Sequence, residues 1–138
     1  MHSRGPDQRG CLAWVRSNRT TSYPRAMSLI NRSLLFVSPR APLHAWISAL
    51  DPEHDEKSGT TIAYLIPVLD DFDDREKILR QVWSTIFELE LIALWEDESK
   101  WPAARSLELF REFFDIAYCS MVDDLCGWEI EPEELPER

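Results

Sequence analysis

The residues with the most chemical potential lie in Trp95-Glu96-Asp97-Glu98-Ser99-Lys100-Trp101-Pro102-Ala103-Ala104-Arg105. Trp95 and Trp101 could wall a shallow pocket, with Asp97 and Glu98 as acid–base groups and Arg105 as a planar fork for a carboxylate or phosphate. A packing account competes with this one: both indoles cover the junction of two helices, and Arg105 pairs with Glu96, Asp97 or Glu98. Trp and Arg are also common interface anchors, so Trp95, Asp97, Glu98, Trp101 and Arg105 form a candidate binding surface.

Asp70, Asp71, Asp73 and Asp74 are the second cluster. Several carboxylates in a short loop suit a hard divalent cation. Yet the glycine turn and distal glutamate of a helix–loop–helix calcium site are missing, and the simpler account is an over-determined helix start. Asp73 with Glu76 has the spacing of a capping box, Asp replacing the usual Ser or Thr. These four aspartates are weak metal candidates; no metal or cofactor is expected.

His54 with Asp55 and Glu56 could bind a metal or share a proton, but adjacent residues on one loop rarely converge on one ion. His44 is expected in solvent. Nucleophilic catalysis needs a base within reach of Ser or Cys, and the histidines, His2, His44 and His54, all lie in the first half of the chain. Cys11, Cys119 and Cys126 lack metal or CxxC spacing and fit a reduced, cytoplasmic setting, Cys119 and Cys126 as buried inert thiols. Glu88 and Glu90 flank Leu89 and are both expected to be partly exposed. Four glycines leave little for a phosphate loop.

The elements that must position these residues are legible in part. Apolar residues from Ile78 to Leu94 repeat at three- and four-residue steps, so Asp73 to Trp95 reads as a helix. Pro102 suits the first position of a second helix, carried by Leu107, Phe110 and Phe114 to about residue 114. Ser33 to Ser38 reads as a buried strand, and Pro42 opens a short helix with Leu43, Trp46, Ile47 and Leu50 on one face. Thr61 to Leu69 reads as an interior strand with Pro67 at its end or beside a bulge. Asp115 to Leu125 is ambiguous between strand and helix; its β-branched and aromatic residues favour a strand ended by Gly127. The order β-α-β-α-α-β defines an α+β fold, one compact domain with a small sheet of about three strands and helices packed on it.

The 138 residues carry a net charge of −10. Residues 1–26 hold five arginines against Asp7 alone, a balance of +4, which leaves −14 on residues 27–138. Such acidity argues against nucleic acid and favours basic partners. No apolar run reaches the length of a membrane span. Residues 1–26 read as a basic, disordered extension; alternatively Met27 is the genuine start, and a transit peptide is disfavoured by Pro24 and weak amphipathicity. Residues 27–128 form the expected domain and 129–138 an acidic tail.

Taken together, Asn31-Arg32-Ser33-Leu34-Leu35 with Pro39, the Trp46 helix, Tyr64-Leu65-Ile66-Pro67, Trp101-Pro102-Ala103-Ala104-Arg105, and Phe113-Phe114-Asp115 leading to Ser120-Met121-Val122-Asp123-Asp124-Leu125 resemble a family of short acidic bacterial proteins described as conserved and hypothetical. The resemblance covers about residues 27–126 and implies a bacterial cytoplasmic protein with one domain. It carries over no activity, cofactor or catalytic residue. The expectation is therefore a non-enzymatic cytosolic interaction or regulatory protein with an acidic, Trp-bearing surface, its partner another protein with a basic surface. The alternative is a small hydrolase or ligand-binding enzyme with its site at the Trp95–Arg105 junction.

Overall fold

A computed structural model of the chain describes residues 28–55 and 59–133. Strand β1, Ser33–Pro39, buries every second side chain, as the apolar run with its β-branched valine requires. Helix α1, Ala41–Leu50, follows with Pro42 in its first turn and seats Leu43 and Ile47 in the core. Strand β2, Ile62–Ile66, leads to helix α2, Asp74–Leu94. A single 3-10 turn, Glu98–Lys100, precedes helix α3, Leu107–Phe113, which passes directly into strand β3, Phe114–Cys119. The expected α+β order is the order observed, with the helices packed on an open sheet.

Both pairings in the sheet are antiparallel, and the strand order is β2-β1-β3. Leu35 sits between Tyr64 and Tyr118, and Val37 between Ile62 and Ile116. Strand β2 is thus an edge, not the interior strand its two apolar faces suggest, and Leu65 on the outer face is half exposed. The position of Pro67 agrees with an edge: pairing stops at Ile66, before the residue that cannot donate to the ladder. Strand β3 ends at Cys119, well short of Gly127.

One buried polar residue ties the sheet together. The hydroxyl of Ser33 accepts from the Leu69 amide at 2.9 Å and donates to the Ser120 carbonyl at 3.0 Å. That one side chain satisfies two groups next to the ends of β2 and β3, which is why a serine is stable at 0 % exposure.

The core is aromatic where α2 meets α3 and β3. Phe87 packs against Phe110, Phe113 and Phe114 with ring centroids 5.7 Å away in each case, the last edge-on at 89°. Leu79, Ile86 and Leu91 extend this core along α2. Residues 31–122 form one compact unit. The described parts of a second unit, 28–30 and 123–133, hold a bridge between Leu29 and Asp123, with the Ser28 amide donating to the Asp123 carboxylate.

Candidate functional site

The start of α2 does not form the expected capping box. Asp73 has helical backbone angles and makes no side-chain cap; instead Asp74 Oδ2 accepts from the amides of Asp70 and Asp71 at 3.1 and 2.9 Å. A carboxylate that closes its own loop in this way is bound to backbone rather than poised for a cation. Among the described residues no group of three or more His, Cys, Asp or Glu side chains is arranged to hold a metal ion.

The Trp95–Arg105 junction is organised by one hydrogen bond. Helix α2 stops at Leu94, and the chain turns so that Trp101 Nε1 donates to the Trp95 carbonyl at 2.7 Å, with the Trp101 ring buried. Trp95 is half-buried, and its own Nε1 finds no acceptor among the described residues. Pro102 does not open the second helix: α3 begins after Ser106, whose Oγ accepts from the Leu109 amide at 3.1 Å. A serine cap satisfies an orphan first-turn amide directly, a stronger local signal than the proline four residues earlier.

Asp97 is also committed to local structure. Its Oδ1 accepts from the Ser99 amide at 3.0 Å and hydroxyl at 2.6 Å, and these bonds pull its pKa below the ordinary value. Arg105 forms neither of the expected contacts with Asp97 or Glu98. Its guanidinium lies 5.6 Å from the Trp101 ring centre, and Nη1 donates to the Pro102 carbonyl at 3.1 Å. Glu98 is exposed within the 3-10 turn.

Beside Arg105 lies an open groove of about 210 Å³, lined by Trp83, Ser84, Glu88, Ala103 and Arg105. It joins one candidate, Arg105, to three α2 residues that periodicity alone assigned to core or solvent. The signal for them was present as spacing: Ser84 and Glu88 are four apart and share a helix face. The groove therefore offers an indole wall, one carboxylate and one guanidinium. Around α2, at 100° per residue, Ile92 and Leu89 continue from Glu88, and both are about half exposed, at 47 % and 50 %.

Glu90 departs from expectation most sharply. It is 5 % exposed and accepts from the Tyr64 hydroxyl at 2.7 Å, while Glu88 remains in solvent. Burial raises the Glu90 pKa and the Tyr64 bond opposes that rise; Tyr64 is itself pushed up by burial and by its bond to Glu90. A raised carboxyl holds its proton longer in the folded than in the unfolded chain. Its stabilising contribution is complete below the ordinary glutamate pKa and is lost as pH rises through the folded value. Glu90→Gln keeps an acceptor for Tyr64 and cannot ionise. In urea titrations from pH 4 to 8, its stability relative to the parent is expected to grow with pH and then level off. A difference that is flat with pH would show that Glu90 ionises as an ordinary surface carboxylate.

Neither Cys119 nor Cys126 is fully buried, contrary to expectation; the Cys119 Sγ lies 3.1 Å from the Met121 carbonyl. No described helix is long and apolar enough to cross a membrane. Fold and site together define a small α+β protein with an open, charged groove and no convergent carboxylate pair in it. No family model matches the chain, and neither the curated proteins nor the solved structures contain a match.

Proposed function

We propose that the protein acts in the cytoplasm by binding another protein through the acidic, tryptophan-bearing side of α2 and the turn that follows it. The observation that carries this reading is the groove, where Glu88 and Arg105 face solvent beside Trp83, flanked by exposed Ile92 and Leu89. A lysine or arginine of a partner would meet both the Glu88 carboxylate and the indole face, while the neighbouring apolar side chains would be covered. The charge of −14 on residues 27–138 supports a partner with a basic surface over a nucleic acid. The resemblance to short acidic bacterial proteins agrees with a cytoplasmic setting.

The enzyme alternative has less support. Asp97 is held by Ser99, and no hydrogen bond links Ser84 to Glu88, so the groove lacks a nucleophile with an oriented base.

The test is affinity capture by the full chain from lysate of the cells that encode it, across a salt series, with three baits. The parent chain is expected to retain a saturable partner that is lost as salt rises, Glu88→Lys to lose it even at low salt, and Glu112→Lys, the same charge change on α3, to retain it. Equal retention by Glu88→Lys, or no partner where control baits succeed, would overturn the proposal.

A further inference from the structure

His44 and His54 are ten residues apart, one in the first turns of α1 and the other on the loop that leaves it. That loop is fastened to the helix end: the Asp51 amide donates to the Ile47 carbonyl at 2.7 Å, and the His54 amide to the Asp51 carbonyl at 3.1 Å. The result is a close approach of two imidazoles, His44 Nδ1 lying 2.9 Å from His54 Nε2. With planes 29° apart and centroids 5.2 Å apart, the rings meet edge to edge at those nitrogens rather than face to face. One of the two nitrogens must already be without a proton, since two N–H groups would repel each other at that distance.

We propose that this pair is a binding site for a divalent transition-metal ion of the copper(II) and nickel(II) type, with water completing the coordination. Around an ion with metal–nitrogen bonds of about 2.05 Å, ligands at right angles lie about 2.9 Å apart and tetrahedral ligands about 3.3 Å apart. The observed 2.9 Å is a hydrogen-bond contact with the nitrogens aimed at each other; the rings must turn, but the nitrogens need not separate, to take adjacent right-angled positions on copper(II) or nickel(II). On binding, the shared proton passes to water and the ring that held it takes up a proton at its other nitrogen, so both imidazoles stay neutral, and each ring turns until both lone pairs point at the ion. Gly59 leaves room for this, because even a Cβ there would lie 3.4 Å from His44 Cε1.

The surroundings favour a cation. In sequence, residues 51–58 hold four acids against Lys57 alone, a balance of −3, and Arg40 directs its guanidinium away, to the Arg111 carbonyl and to Asp115. Carboxylates at this density raise the local concentration of divalent ions. The site is distinct from the α2 groove, so either can fail without the other.

The experiment uses the full chain carrying His2→Ala, which leaves His44 and His54 as the only histidines, labelled with ¹⁵N-histidine and titrated with CuCl₂. Electron paramagnetic resonance is expected to show one copper(II) per chain split by two ¹⁵N nuclei. His54→Ala, a loop substitution with little packing to lose, is expected to weaken binding at least tenfold and remove the two-nitrogen pattern, with circular dichroism unchanged; His44→Ala should act likewise. Splitting by one ¹⁵N or none, or an affinity unchanged in His54→Ala, would overturn the proposal.

Discussion

Phe87→Ala is expected to lower the free energy of unfolding by about 4 kcal/mol, enough to leave a domain of ordinary stability close to its unfolding threshold. The ring is 0 % exposed and touches three other phenylalanines, two on α3 and one on β3. Truncation removes these contacts at once, and the cavity cannot collapse easily, because its walls are rigid rings from two different elements. Phe87→Leu should recover most of the loss, since it keeps much of the volume. Phe72→Ala is the control: that ring is 78 % exposed and lies 4.9 Å from the Arg75 guanidinium, so its effect should stay within about 0.5 kcal/mol. Urea denaturation with far-ultraviolet circular dichroism reads all three. Comparable losses for Phe87→Ala and Phe72→Ala would mean that the aromatic core is not where stability resides.

Trp101→Ala is expected to lower stability by about 3 kcal/mol and, unlike Phe87→Ala, to alter the groove directly. The indole is buried beneath Arg105 and fixed by its bond to the Trp95 carbonyl. Two effects are separable. Trp101→Phe keeps most of the apolar volume but deletes the N–H donor, which isolates a hydrogen bond worth about 1 kcal/mol, and orphans the carbonyl. Arg105 would keep an aromatic face in that variant and lose it in Trp101→Ala. Partner capture should therefore follow the order parent, Trp101→Phe, Trp101→Ala, measured at a temperature where all three are folded. Capture that is indifferent to Trp101 would detach the turn from the binding face.

These two predictions fall on residues of opposite legibility. Phe87 lies on a stripe whose period is set by helix geometry, and Asp73 to Trp95 reads as helix from that period alone. The structure ends the helix within one residue at either side. The first strand and the short helix after Pro42 are legible for the same reason, whereas the final strand is legible only as one of two alternatives and ends at Cys119 rather than at Gly127. Each depends on the dihedral preferences of neighbouring residues and on which side chains must leave water, and both are local properties.

Trp101 is legible only as a junction residue. What its indole bonds to, and what stacks on it, follows from how the chain folds back after Leu94.

Contacts between distant segments decided the rest. The strand order put β2 at an edge although its composition suits an interior position, because β1 alone lies between two partners. Glu90 has nothing in its own helix to predict burial; it is tolerated in the core because Tyr64, 26 residues earlier, supplies a donor. His44 is part-buried rather than fully solvated, where the loop after α1 brings His54 back to it. Arg105 had Asp97 and Glu98 close in sequence, yet it lies over the Trp101 ring and donates to the Pro102 carbonyl. Periodicity and the β-branched and aromatic composition of the strands thus determined the elements and their order, while the expected cap at Asp73 and the helix start at Pro102 did not form. Sheet order, the burial of polar side chains and the pairing of charged groups came from tertiary structure, since the energy of a polar group depends on partners that only folding brings within reach.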